Sequence, residues 1–482
     1  MDEKKSTKEN EQTDQSNQKK YSLKRLFKLP HVFVLLFIIV VLASILTYII
    51  PAGEFDRVED PTTGRTIVQQ DSYQQVEQDP VGIVEVPGLF ITGLNEASDI
   101  ILFIFVVGGA FQIITATGVF DSIIRKITNM LGNKEVLIIP LFLILFSIGG
   151  FTIGMTVEGM ALIPLAIALA RSLGYDAITG LSMVFIGMYV GFISGLMNPF
   201  NVGVAQQIAE LPIYSGMWLR AIILVVLLIT ASIYIIRYAN KVKRDPSKSI
   251  VREMELKADT KDRVVGSTQI QMRHYFVLIT ILSGICLLVW GVANRGWYID
   301  DIAALFITMG VVSGLFAGLG PSRIAEEFIE GAKAFALGAL IVGVARAIPV
   351  ALEEGLIIDS VINGLANIVV VFPESIQVVG LFLTQTIINF FINSGSGQAA
   401  ATMPIIAPLG DLIGITRQTG VLTFQLGDGF TNLIFPTGTT LMAYLAASGV
   451  PYEKWIKFIW PLVLMFIAIG AIFIVIADII QY

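Results

Sequence analysis

The stretch Gln425-Leu426-Gly427-Asp428-Gly429-Phe430-Thr431-Asn432-Leu433-Ile434-Phe435-Pro436-Thr437-Gly438-Thr439-Thr440 sets a carboxylate, amides and a proline break inside apolar sequence. Proline removes a backbone donor and clashes with the preceding turn, so a helix unwinds there. In hydrocarbon, unwound backbone is tolerated only where it is buried in protein or lines a cavity. A charge at such depth costs several kcal/mol unless paired or hydrated, which makes Asp428 a functional candidate.

The surrounding chain says that the solvent is lipid. Of 482 residues, 55% are hydrophobic and 15% charged, with a mean hydropathy of +0.76; a soluble protein carries about a quarter charged residues. Apolar runs of membrane-spanning length recur, most clearly His31 to Ile50, Ile100 to Thr117, Met217 to Tyr238, Tyr275 to Val292, Ile302 to Leu319 and Ile456 to Ala477. The expectation is an all-α polytopic membrane protein of about 9–12 transmembrane helices. The one cysteine, Cys286, lies in such a run and reads as packing.

Composition divides the chain. Residues 1–30 are polar and lack apolar periodicity, reading as a disordered cytoplasmic tail. Residues 31–50 form the first span. The tail holds eight Lys/Arg and the loop 240–273 nine, whereas the segment 51–98 has only Arg57 and Arg65 against nine acids. Basic residues collect on the cytoplasmic side, which puts the tail and that loop inside and 51–98 outside.

The chain also repeats itself. Pro164 and Pro404 differ by 240, as do Gly174 and Gly414 and the pairs Thr179-Gly180 and Thr419-Gly420; Gly191 with Gly429, Pro199 with Pro436 and Trp218 with Trp455 follow at 237 or 238. An ordered series with a drifting offset points to duplication, with halves at 84–239 and 320–482 and two linking spans in 274–319. The halves then run in opposite directions through the membrane, as inverted repeats do in secondary transporters.

Four polar breaks occupy matching places. Ser147 to Gly159, carrying Thr152, Thr156 and Glu158, and Asn393-Ser394-Gly395-Ser396-Gly397-Gln398 each read as the tip of a re-entrant hairpin. Asn198-Pro199-Phe200-Asn201-Val202-Gly203 and Phe435 to Thr440, with Thr437 and Thr439, read as interrupted helices. Half-helix N-termini suit a carboxylate, and free carbonyls with Asn, Ser and Thr oxygens suit Na⁺ or an ammonium group. Close packing of helices over Gly and Pro is the structural alternative. Arg346, in the apolar run 334–350, could take a substrate carboxylate; Asp428 or Glu158 could take an amino group or a coupling cation. Alternatively Arg346 pairs with one of these acids and holds helices in register. The substrate set is therefore Asn198, Asn201, Asn393, Ser394, Ser396, Gln398, Asp428, Thr437, Thr439 and Arg346. The ion-coupling set is Thr152, Thr156, Glu158 and Asn432.

Phosphate-loop, zinc-site and potassium-filter sequences are absent. With two histidines and one cysteine, nucleophilic catalysis is poorly supplied, so the expectation is a non-enzyme without cofactor apart from coupling Na⁺ or H⁺.

Lys28-Leu-Pro30-His31-Val-Phe-Val, Tyr48-Ile-Ile-Pro51-Ala-Gly53-Glu54-Phe, Gly195-Leu-Met-Asn198-Pro199-Phe-Asn201, Asn393 to Gln398 and Phe435-Pro436-Thr437-Gly438 together resemble the YfcC-type carriers, grouped with the C4-dicarboxylate anaerobic carriers of the ion-transporter superfamily. The resemblance implies inverted repeats, paired re-entrant hairpins and a mobile substrate-carrying domain, with solutes that include C4-dicarboxylates and basic amino acids. Arginine/ornithine exchange belongs to the YfcC branch. The expected function is secondary transport of a small charged organic solute in the plasma membrane, with a basic amino acid ahead of a C4-dicarboxylate and an ion channel as the rival class. The expected partners are the solute and the bilayer, not nucleic acid, with a homodimer allowed.

Overall fold

The computed structural model describes residues 32–60, 65–69, 72–119, 132–198, 200–261, 272–295, 297, 299–371 and 373–482. The tail 1–30, Pro199 and part of the 240–273 loop lie outside the described residues. The regular structure is helical apart from two small antiparallel ribbons.

Among the described residues, seven helices are long and apolar enough to cross a membrane by length and composition, and four shorter apolar helices accompany them. In chain order, α1 is Val32–Ile49. The ribbons pair β1 (Gly53–Glu54) with β4 (Gln74–Gln75), and β2 (Arg57–Asp60) with β3 (Arg65–Val68). Then come α2 (Val86–Glu96), α3 (Ser98–Ala116), α4 (Ile138–Ile153), α5 (Ile163–Ser172), α6 (Ala177–Ser194), α7 (Val202–Ile208) and α8 (Met217–Arg244). They continue with α9 (Arg252–Lys261), α10 (Met272–Arg295), α11 (Ile299–Phe316), α12 (Pro321–Glu354) and α13 (Ile358–Val371). The last five are α14 (Glu374–Phe391), α15 (Gly395–Leu412), α16 (Arg417–Thr431), α17 (Thr439–Ser448) and α18 (Tyr452–Ile479).

Two helices form the centre. Every residue of α6 is buried, as is α16 from Gln418 to Thr431. A helix buried all round has no lipid-facing stripe and belongs inside the bundle. The pair meets closely: Gln425 Nε2 donates to the Ile193 carbonyl at 2.7 Å, and a Cβ at Gly429 would stand 2.6 Å from the Ile193 side chain. Both end in interruptions. Helix α6 stops at Gly195 in the left-handed region (φ 51°), which costs glycine no Cβ strain. Helix α16 stops at Thr431, and the seven residues 432–438 separate it from α17. At 1.5 Å per residue, ten-residue helices such as α5 and α17 reach only ~15 Å, half the hydrocarbon thickness.

The first polar stretch is shorter than its sequence suggests. Helix α4 runs through Ser147, Gly149 and Gly150 to Ile153, and breaks only at Gly154 (φ 66°). These glycines serve packing, since a Cβ at Gly150 would enter the Met188 carbonyl of α6 and one at Gly191 would enter that of Ser147. Close packing over glycine, the structural alternative, holds for 147–150. Residues 392–394 join α14 to α15, so Asn393 and Ser394 lie in the turn, whereas Gly395 to Gln398, expected in the tip, form the first turn of α15.

The ribbons are tied down by ion pairing. Asp359 at the start of α13 is 4% exposed and accepts from Arg57 Nη2 at 2.9 and 3.0 Å and from the Phe55 N–H at 3.0 Å. Phe55 and Val68 pack on Ile362 and Ile388, with Ile392, Ala401 and Ile405 alongside, so the ribbon rests against the hairpin of α14 and α15.

Candidate functional site

Asp428 lies on the last turn of α16 and is fully buried. Its Oδ2 accepts from Asn201 Nδ2 at 2.6 Å, and Oδ1 from Asn432 Nδ2 at 3.4 Å. No Lys or Arg pairs with it among the described residues. Buried carboxylates are ordinarily paired with a cation or a metal, because desolvation otherwise outweighs the gain.

The interruptions converge on this carboxylate. Asn198 Oδ1 accepts from the N–H groups of Phe200 (2.9 Å) and Asn201 (3.3 Å), which holds the first unwound segment in a turn and aims Asn201 at Asp428. A Cβ on Gly395, the first residue of α15, would lie 3.2 Å from Asn201 Nδ2 and 3.3 Å from Asp428 Oδ2. The hairpin tip thus touches both. Ser394 caps α15 by accepting from the Gly397 N–H at 3.3 Å. Asn393 Nδ2 donates to Asn432 Oδ1 at 2.7 Å, and its own Oδ1 would lie 2.8 Å from a Cβ at Gly438. Gly154, at the end of the first hairpin arm, would place a Cβ 2.7 Å from Asn198 Oδ1. All four sequence-predicted breaks therefore meet, and Asn198, Asn201, Asn393, Ser394, Asp428 and Asn432 stand together.

Orphaned polar atoms line the same place. Among the described residues, Asn198 Nδ2, Asn201 Oδ1 and Thr437 Oγ1 are buried without a hydrogen-bond partner, and so is Asn389 Oδ1. Each such atom costs about 1–3 kcal/mol of desolvation unless something bonds it. Together they offer one donor, two amide acceptors and a hydroxyl beside a carboxylate, a set able to hold an ammonium or guanidinium group or a hard cation.

The remaining candidates stand elsewhere. Gln398 is buried but donates to Gln385, at 2.9 Å to its carbonyl and 2.7 Å to Oε1, and Thr402 joins them at 3.2 Å. Ser396 is half-buried on the first turn of α15, and Thr439 opens α17. Thr152 bonds its own helix at the Ile148 carbonyl, 2.5 Å away. Glu158 is buried and accepts from the Thr156 N–H at 2.9 Å, while Tyr444 donates to the Thr156 carbonyl at 2.5 Å. Arg346 does not pair with Asp428 or Glu158. Its Nε reaches Glu96 on α2 at 2.7 Å and its Nη2 reaches Glu353 at 3.8 Å, all three partly exposed.

The carbonyls of the second break are also less free than proline logic suggests. Trp455 Nε1 donates to Leu433 O at 2.9 Å and Tyr452 to Ile434 O at 2.8 Å, both from α18.

Sequence reading missed Asn389, whose Nδ2 donates to Asp428 O (2.9 Å), Thr431 Oγ1 (2.7 Å) and Asn432 Oδ1 (3.1 Å). The signal was present: Gln385 and Asn389 stand four apart in an apolar helix and so share one face. It also passed over Arg220, which is 1% exposed on the first turn of α8.

Residues 29–479 match the C4-dicarboxylate anaerobic carrier family. YfcC of Escherichia coli K12, a candidate basic amino acid antiporter by its name, is 35% identical over 86% of this chain and 90% of its own. An uncharacterised Haemophilus influenzae protein is 31% identical over 84% of this chain and 80% of its own. The solved YdaH transporter of Alcanivorax borkumensis aligns with 93% of this chain and 98% of its own, at 14% identity and a TM-score of 0.39. The chain is a multi-pass membrane transporter and belongs to the C4-dicarboxylate anaerobic carrier family.

Proposed function

We propose that the chain is a secondary transporter of the plasma membrane, its N-terminus cytoplasmic, that exchanges a basic amino acid by alternating access of two oppositely oriented halves. The observation that carries this reading is Asp428: a buried carboxylate held by two asparagines, beside orphaned amide oxygens, with no cationic partner among the described residues. A cationic side chain supplies the charge that such a group calls for, and the name of the Escherichia coli relative agrees. Glu158, Thr152, Thr156 and Asn432 remain the proposed hosts of a coupling H⁺ or Na⁺.

The family's description favours a second reading, C4-dicarboxylate transport. The two separate by counterflow. Proteoliposomes loaded with arginine should take up labelled arginine or ornithine in a saturable, trans-stimulated manner. Trans-stimulation by succinate and none by arginine would install the dicarboxylate reading, and passive conductance without trans-stimulation a channel.

A further inference from the structure

Arg220 sits on the first turn of α8 with 1% of its surface exposed. Arginine stays charged even when buried, and its guanidinium carries five donors in a planar fork. Here Nη2 reaches one neutral acceptor, the Leu196 carbonyl, at a long 3.5 Å, and Nε has no partner among the described residues. No ion pair forms to it among the described residues. Among the described residues, the arginines that do form ion pairs are Arg57 with Asp359, Arg171 with Glu255, Arg323 with Glu327, Arg346 with Glu96 and Arg417 with Glu210 and Asp411, all of them far more exposed. Among the described arginines Arg220 is the most deeply buried, and no carboxylate there meets it.

Its position gives this meaning. Leu196 belongs to the unwound segment between α6 and α7 that also carries Asn198 and Asn201. Gln425 bonds Ile193 O and presses on Gly195, next to Leu196, and Asp428 follows three residues later on the same helix. Three helical residues advance ~4.5 Å. A cationic group and an anionic one therefore border the same interruption.

We propose that Arg220 binds the carboxylate of the transported solute. A carboxylate matches the guanidinium fork bidentately, in the strongest of the common charge-assisted geometries. This rests on the amino acid reading above and adds to it a recognition of both ends: Asp428 and its asparagines take the cationic end, Arg220 the carboxylate. A charge that merely steadies the C-terminal carbonyls of α6 would hold the helix end equally well whichever solute arrives.

The test is ligand binding to the purified full-length protein, read as the shift in melting temperature with concentration, since a ligand that binds only the folded state stabilises it. The probes are L-arginine and agmatine, which share the guanidinium and differ by the carboxylate. The wild type should bind arginine at least tenfold more tightly. In Arg220→Gln, arginine should fall to the level of agmatine, whose own binding should change less than threefold. Arg220→Lys keeps the charge beside Leu196 but not the fork, and should retain less than half of the discrimination on a logarithmic scale. It also serves if the glutamine variant fails to fold. Full discrimination in either variant overturns the proposal, as does a wild type that binds no carboxylate. Should succinate bind and arginine not, the amino acid reading fails while Arg220 is judged on succinate against its monomethyl ester in the same variants: loss of the preference supports it and retention overturns it.

Discussion

Asn201 and Asp428, 227 residues apart in sequence, meet at 2.6 Å with both side chains fully buried. One belongs to the interruption after α6 and the other to the helix that leads into the second interruption. Their contact joins the two proposed halves at a single carboxylate.

Asp428→Asn should abolish exchange, with uptake reduced at least tenfold, while membrane insertion and yield stay near wild type. The variant keeps the shape and removes the charge that a cationic solute or ion needs. Saturable uptake at the normal rate would take Asp428 out of the site.

Asn201→Ala leaves Asp428 with the 3.4 Å contact from Asn432 alone. Apparent affinity for the solute should fall several-fold, and the effect should not add to that of Asp428→Asn, because the two side chains act as one unit. A double variant measured for binding checks this; additive losses would separate the residues.

Arg346→Ala should keep uptake within about twofold of wild type. Its ion pairs with Glu96 and Glu353 are partly exposed and contribute at most about 1 kcal/mol. Loss of succinate binding in this variant would return Arg346 to the solute and favour the dicarboxylate reading.

Gly154→Ala should impair transport more than its distance from Asp428 suggests. The residue has φ 66°, and the added Cβ would lie 2.7 Å from Asn198 Oδ1. Strain of about 1 kcal/mol or more is expected from the backbone alone. The displaced Asn198 would also release the turn that aims Asn201. Uptake kinetics with melting temperature as control test it: unchanged uptake would mean that the turn tolerates the shift.

How much of this was legible in the sequence follows from which forces act locally. Proline and glycine act on their own backbone, so the breaks around Asn198, Asn393 and Pro436 could be placed from residue type alone, and Asp428 stood out because a carboxylate in apolar sequence has few explanations. Ser147 to Gly150 misled because the same glycines that permit an unwound tip also permit close packing, and only the neighbouring α6 decides between them. Arg346 misled for a related reason: its partner Glu96 lies 250 residues away on α2. Arg220 was silent because an arginine near the start of an apolar run ordinarily extends its head group to the interface. Its burial is a property of the tertiary fold.

The donors that α18 lends to Leu433 and Ile434 constrain how this protein can work. Straightening that interruption into continuous helix would demand the same two oxygens that Trp455 and Tyr452 occupy. The two bonds fasten α18 to the interruption, so any displacement of that segment relative to α18 would have to break them first.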